Sequence, residues 1–276
     1  MSELVFTPER RAELRAFLSD DQLLQSEYPR VAEYFNAAAG LPGTGDSDAD
    51  MAFDVRFLHF MTGGQVVSEN PYWEIVAPSV FARDGRRVVD GGNPQGSPQL
   101  AFAEMILQAS YAYAIPSPET IQWVMRHCAD RPIVELGAGR GYWAAQLSRA
   151  GLDVRGYELE PPDAIDNASF PRATGQTDVW FPVAGLPSME AEGLSNSTLF
   201  LCWPPGWGNP MASDALKAYE ASGGDRLIYV GELKGGKTGD DAFFDALAER
   251  WELESTDSQF VSWWNLADVA QIWVRR

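Results

Sequence analysis

The pattern of apolar and polar positions divides the chain near Pro116. Before that proline, apolar residues recur at helical spacing in separate patches; after it, short apolar runs alternate with amphipathic ones. In the first part, Pro8 to Leu18 reads as a charged amphipathic helix behind Thr7 as N-cap, and Arg30 to Ala39 as a second helix ending at Gly40. Gly40 to Asp50, rich in glycine and aspartate, reads as a loop. Met51 to Met61 predicts an apolar, aromatic-rich helix that stops at Gly63-Gly64. The polar, glycine-rich stretch from Arg83 to Pro98 is expected to be mobile, and Gln99 to Ala114 predicts a strongly apolar helix.

Beyond Pro116 the alternation becomes regular. Ser117-Pro118-Glu119 supplies an N-cap, a proline at the first helical position and an acid in the first turn, for a helix running to about Ala129. A strand at Pro132–Leu136, a helix at Tyr142–Ala150 and a strand at Asp153–Glu158 follow. Next come a strand at Ser197–Trp203, a helix at Met211–Ala221, a strand at Arg226–Val230 and a helix at Asp241–Arg250. Strands near Trp251–Ser255 and Gln271–Arg275 close the chain with no helix between them, which predicts antiparallel pairing at one edge. Strands alternating with helices imply an α/β fold with a parallel sheet whose ligand lies at the carboxyl ends of the strands. Two parts are therefore expected: residues 1–115 as a helical extension or lid, and residues 116–276 as a ligand-binding domain.

Composition narrows the classes of function. The chain has 276 residues and a formal net charge of −18, from 39 acidic against 21 basic residues. Nucleic-acid binding draws its affinity from Lys and Arg neutralising phosphates, so no nucleic-acid partner is expected; a cationic or neutral small molecule suits the field better. No apolar run approaches the ~20 residues of a membrane-spanning helix, so no membrane partner is expected. Met1-Ser2-Glu3-Leu4 does not begin an export signal, and two cysteines, Cys128 and Cys202, make no disulfide framework; a cytoplasmic protein is the expectation. His59 and His127 lack metal-ligand spacing, so no metal site is expected and both read as structural.

The stretch Ile133-Val134-Glu135-Leu136-Gly137-Ala138-Gly139-Arg140-Gly141-Tyr142-Trp143 reads as a strand, a glycine turn and a helix start, with Glu158 closing the next strand. Glycines serve where backbone turns tightly and approaches a ligand, and a carboxylate after the second strand can accept both ribose hydroxyls of an adenosine. A dinucleotide site shares this architecture, but its fingerprint has a third glycine or alanine where Tyr142 stands. Glu135, two residues before the first glycine, fits a ligand with a cationic amino end better than a pyrophosphate.

The stretch resembles motif I of class I S-adenosylmethionine-dependent methyltransferases, and the resemblance covers Thr120 to Arg276 in element order. It implies a Rossmann-like, seven-stranded, mostly parallel sheet with an antiparallel last strand. It also implies S-adenosylmethionine as cofactor. Glu135 then lies near the methionine end, Gly137, Ala138 and Gly139 lie under the cofactor, Glu158 holds the ribose and Asp178 contacts the adenine amine. Leu201-Cys202-Trp203-Pro204-Pro205-Gly206-Trp207 resembles the Asp/Asn-Pro-Pro-aromatic motif of amino-group methyltransferases, with Trp203 in place of the polar residue. Trp203, Pro204, Pro205 and Trp207 are thereby candidates for binding and aligning an acceptor, although an indole only donates. Tyr111 and Tyr113 are candidate lid residues, and Glu232 a candidate base or cation-binding acid.

These residues imply methyl transfer to a nitrogen or oxygen of a small molecule, by alignment rather than metal or strong acid–base chemistry. Two other readings stay open. One is a non-methylating reaction on the same scaffold, such as an intramolecular cyclisation. The other is a methyltransferase-like subunit, or homo-oligomer, that binds a partner protein through tryptophan-rich surfaces such as Trp263-Trp264. From the charge alone, duplex DNA or RNA should give no gel shift at physiological salt; a tight, salt-sensitive complex would overturn the small-substrate expectation.

Overall fold

The computed structural model describes residues 4–128, 130–163, 167–188, 194 and 196–276. The chain forms two compact units, one of Met1–Tyr111 with Pro171–Asp178, the other of Ala112–Phe170 with Val179–Arg276.

The first unit is helical with one hairpin. It contains α1 (Pro8–Ser19), α2 (Asp21–Glu27), α3 (Pro29–Ala38), α4 (Ser47–Met61), α5 (Pro71–Val76) and α6 (Pro98–Ser110). Proline stands in the first turn of α1, α3, α5 and α6, where its missing N–H is not needed. Thr7, Asp20, Asp46, Asn70 and Ser97 accept from free amides at the starts of α1, α2, α4, α5 and α6. α2 and α5 carry too few residues for periodicity to reveal them, and Ser47 starts α4 inside the expected loop because Asp46 caps it. Tyr34 and Phe57 are fully buried in this unit, and Tyr34 donates to Asp54 at 2.6 Å. Arg10 forks onto His59, with Nε donating to Nδ1 at 3.0 Å and a terminal nitrogen to the His59 carbonyl at 2.7 Å. Burial, and then the Arg10 charge, push His59 down to about 4, so it stays neutral, a structural acceptor.

One expectation for this unit is corrected. Rather than a mobile stretch, β1 (Val80–Arg83) and β2 (Arg86–Val89) form an antiparallel hairpin. Asp84 and Gly85 both have positive φ (48° and 78°), the geometry of a two-residue hairpin turn, for which Asp-Gly is a preferred sequence. The chain beyond is tied down by the fully buried Asp90, which accepts from Arg83 Nε and from the Gly92 amide, each at 2.7 Å.

The second unit holds α7 (Pro118–Cys128), β3 (Ile133–Leu136), α8 (Tyr142–Arg149), β4 (Val154–Glu158), β5 (Val183–Gly185) and β6 (Thr198–Cys202). It continues with α9 (Met211–Ala221), β7 (Arg226–Glu232), α10 (Asp241–Arg250), β8 (Trp251–Thr256), β9 (Val261–Trp263) and β10 (Asp268–Arg275). Seven strands form one sheet in the order β5-β4-β3-β6-β7-β10-β8. Neighbours from β5 to β7 pair parallel; β10 runs antiparallel between β7 and β8. This is the mostly parallel seven-stranded sheet with an antiparallel last strand that the resemblance implies. The order reverses at β3, so the carboxyl ends of β3, β4 and β6 flank a topological switch point.

Both faces of this sheet are covered, and the alternation of side chains sorts them. Ile133, Phe200, Ile228, Val230 and Ile272 pack with Val124 of α7 and Trp143 and Leu147 of α8. Val134, Leu136, Leu199, Leu201, Leu227 and Tyr229 pack with Leu216 and Tyr219 of α9 and Phe243 and Leu247 of α10. Burial on two sides explains why β3, β6 and β7 read as continuous apolar runs. Pairing of Asp268 with Glu232 extends β7 past Val230 and starts β10 three residues before Gln271, because a ladder lengthens both of its strands. No helix among the described residues is long and apolar enough to cross a membrane.

Phe200 lies in the middle of β6 and is fully buried against Trp143. Phe200→Ala should therefore lower the free energy of unfolding by about 3–5 kcal/mol, read from urea denaturation. A loss below ~1 kcal/mol would mean that this layer is not close-packed.

Candidate functional site

The glycine turn follows directly from β3. Gly137 and Ala138 both donate to the Tyr157 carbonyl, at 2.9 and 3.1 Å, which binds the turn to β4. Gly137 has φ +74°, and a Cβ there would meet the Met211 methyl at 3.0 Å; Gly141 has φ +76°, and a Cβ there would meet Phe181 at 2.9 Å. Backbone conformation requires glycine at both positions, and at Gly141 the Phe181 backbone leaves no space for a side chain as well. α8 begins at Tyr142 after Gly141, which has no side chain to cap it, and the Ala144 amide in its first turn donates to the Glu135 carboxyl.

Two carboxylates frame the turn. Glu158, last residue of β4, accepts from the Gly139 amide at 3.0 Å and from its neighbour Leu159 at 2.8 Å. It is half-buried and lies at the turn, where a ribose-binding acid is expected. Glu135 is only 2% exposed, and its Oε2 has no hydrogen-bond partner among the described residues. Burial pushes its carboxyl up to about 8, against one backbone hydrogen bond from Ala144; Glu158 adds to the rise. A buried acid with an unused oxygen beside a glycine turn has the chemistry to accept from a cationic, hydrogen-bonding group.

The second cluster sits where β6 ends. Trp203 adopts φ +52°, rare for a residue with a side chain, and its amide donates to the Val230 carbonyl at 2.7 Å. Its indole Nε1 donates to Asp268 Oδ2 at 3.1 Å, and Ser262 Oγ donates to Asp268 Oδ1. Tyr113 stacks on the Trp203 ring, with centroids 5.5 Å apart and planes 12° apart, and is itself 56% exposed. The structure thus joins two predicted residues, Tyr113 and Trp203, into one aromatic pair. Pro205 and Trp207 are exposed on the same turn, and Trp207 also has positive φ, +50°.

Other candidates are already engaged or belong to the first unit. The Pro204 carbonyl, expected to face an acceptor, accepts from the Gly239 amide at 2.9 Å while Pro205 bridges Thr238, so the Pro-Pro turn is pinned to the next loop. Glu232, a candidate base or cation-binding acid, is buried; its two oxygens accept from the Lys237 and Ala267 amides at 2.7 and 3.0 Å, which makes it a clamp between loops. Tyr111 and Asp178 belong to the first unit. There Tyr111 is buried and stacked on Tyr72, and Asp178 acts on the charge of Arg30. Of the ten tryptophans only Trp207 is largely exposed, and Trp263 is buried rather than part of a surface.

Asp268 was not singled out by sequence reasoning. Its signal was an acid at the head of an apolar strand, Leu266-Ala267-Asp268-Val269-Ala270, where burial demands a partner. Phe170 was also missed: its ring lies 3.5 Å from where a Gly139 Cβ would stand, and the Arg140 guanidinium sits 5.8 Å from its centroid. Among the described residues no group of three or more His, Cys, Asp or Glu is arranged to hold a metal.

No protein-family model matches the chain, and no curated protein matches it significantly. Similar solved structures include magnesium protoporphyrin IX methyltransferase from Synechocystis PCC 6803 with bound SAM, at 12% identity and a TM-score of 0.39, covering 85% of this chain and 100% of that one. Mitomycin 7-O-methyltransferase is similar at 14% identity and 0.33, covering 98% and 100%. A third, described by the conversion of a disulfide bond into a thioacetal group during echinomycin biosynthesis, is similar at 16% and 0.36, covering 58% and 82%. Likenesses at this level transfer no chemistry, so the reading of the site rests on this chain's own strand order and residues.

Glu135 also sets a pH dependence. Below the ordinary carboxylate value, folded and unfolded chains both hold its proton, and stability does not vary with pH on its account. Between that value and about 8 only the folded chain keeps the proton, so stability falls as pH rises and levels off above about 8. Glu135→Gln should show a shallower fall in melting temperature across that window than the unsubstituted ligand-free chain. Parallel curves would remove Glu135 as a buried, proton-holding acid.

Proposed function

We propose that this chain, whose sheet order and glycine turn are those of the class I methyltransferase fold, is an S-adenosylmethionine-dependent methyltransferase acting on a small molecule. The observation that carries the reading is the unused Oε2 of buried Glu135 beside the Gly137–Gly139 turn, with Glu158 at the end of the next strand. The residues fit the cofactor. Glu135 would take its ammonium, the glycine backbone would lie against its adenosine end, and Glu158 would exchange its loop contact for the ribose hydroxyls. S-adenosylmethionine supplies a methyl group already activated on a sulfonium. The chain then needs only to align an acceptor and exclude water, which agrees with a site poor in acid–base machinery. The turn from Trp203 to Trp207 supplies the acceptor's wall.

One observation favours a second reading. Trp203 replaces the polar residue of the amino-group methyltransferase motif, and its indole N–H is spent on Asp268 rather than offered to an acceptor. That suits a non-methylating reaction, such as an intramolecular cyclisation, at the same site. Mass spectrometry separates the two: methylation adds 14 daltons to the acceptor, and a cyclisation does not.

Calorimetric titration tests the cofactor role. Glu158→Ala should weaken S-adenosylmethionine binding by about 1–3 kcal/mol. Glu158→Gln, which keeps an acceptor for the Gly139 amide, should recover part of that loss. Unchanged affinity in a folded Glu158→Ala chain would remove the ribose role. Binding should also release a proton, because a cation beside Glu135 lowers its pKa toward the ordinary carboxylate value; heats independent of the buffer's ionisation enthalpy would contradict this.

A further inference from the structure

The end of β6 gathers buried acids beneath its aromatic surface. Asp268 is 2% exposed and accepts from the Trp203 indole at 3.1 Å. Its register partner Glu232 is buried too, and Glu135 lies one strand away from Cys202 across the β3–β6 pairing. Burial, above all, raises the pKa of the Cys202 thiol, next to Trp203 in the chain. A carboxylate that accepts an indole N–H pushes electron density into the ring and deepens the negative potential of its face. Tyr113, stacked at 5.5 Å, extends that face outward to solvent.

We propose that Tyr113 and Trp203 form a cation-selecting wall for the acceptor, and that Asp268 is a positioning residue that fixes the Trp203 ring and polarises its face. The acceptor class is a small molecule bearing an ammonium group held against the aromatic pair, distinct from the atom that reacts. This inference deepens the methyltransferase reading and rests on it for the word acceptor only. The left-handed backbone at Trp203 agrees with the assignment: strain of this kind persists where surrounding bonds over-determine it, here the Val230 carbonyl, Asp268 and the Tyr113 stack.

The test uses the full chain and two probes of one shape, choline and its uncharged carbon isostere 3,3-dimethylbutan-1-ol. The readout is the NMR signal of the Trp203 indole N–H, assigned by its disappearance in Trp203→Phe. Choline should shift this signal to saturation, with the neutral isostere at least about five-fold weaker. Asp268→Asn keeps an oxygen for the indole and a polar partner for Ser262 but removes the charge. It should weaken choline several-fold and leave the isostere unchanged. Tyr113→Leu, at a half-exposed ring, should do the same without disturbing the core. Equal binding of the two probes, no choline shift at Trp203, or unaltered choline affinity in both variants would overturn the proposal. A titration of S-adenosylmethionine on the same sample keeps the two readings apart. Choline selectivity without cofactor binding would sink the methyltransferase and spare the wall; the converse would sink only the wall.

Discussion

A carboxylate sealed among apolar side chains loses its hydration, and either holds a proton or waits for a cation. Glu135 is in that position near the end of β3, an interior strand, with one oxygen unused and its carboxyl pushed up to about 8. The surrounding sheet is what makes the position so dry. β3 is paired on both edges, by β4 and β6, and covered on both faces, so water is kept from its last turn. The acid is buried where the strand order reverses, the place at which open α/β sheets take their ligands. This is the pattern by which buried titratable groups mark functional sites.

The end of β6 shows the same logic in a different form. There the constraint is conformational: a bulky residue in left-handed backbone, held by a strand carbonyl, a buried aspartate and a stacked ring. The Pro-Pro turn that follows is stapled to the loop after β7 through Gly239 and Thr238, and that loop is clamped in turn by Glu232. The acids of this region thus divide their work. Glu232 spends both oxygens on backbone amides and organises loops, whereas Asp268 spends its oxygens on the side chains of Trp203 and Ser262.

Sequence periodicity found the long elements and missed the short ones for a physical reason. A helix of six or seven residues, such as α5 or α2, presents too little of a turn for an apolar stripe to repeat. The hairpin at Val80–Val89 lay inside a stretch whose polarity and glycines suggested mobility, although Asp84-Gly85 carried the turn signal. Its order comes from Asp90, whose full burial is invisible in a polar sequence.

The sequence by itself determined the α/β alternation, the glycine turn after β3 and the acid that closes β4. Each is a local requirement: two-sided burial writes continuous apolar runs, and tight turns write glycine. Tertiary structure alone decided which acids are clamps and which are unspent, because hydrogen bonds between Glu232 and the Ala267 amide, or between Trp203 and Asp268, join residues 35 and 65 positions apart. It also decided that Tyr113 and Trp203 form one surface while Tyr111, two residues earlier, is buried on Tyr72 in the other unit. Spacing along a chain fixes which way a residue can point; only the packed fold fixes what it meets there.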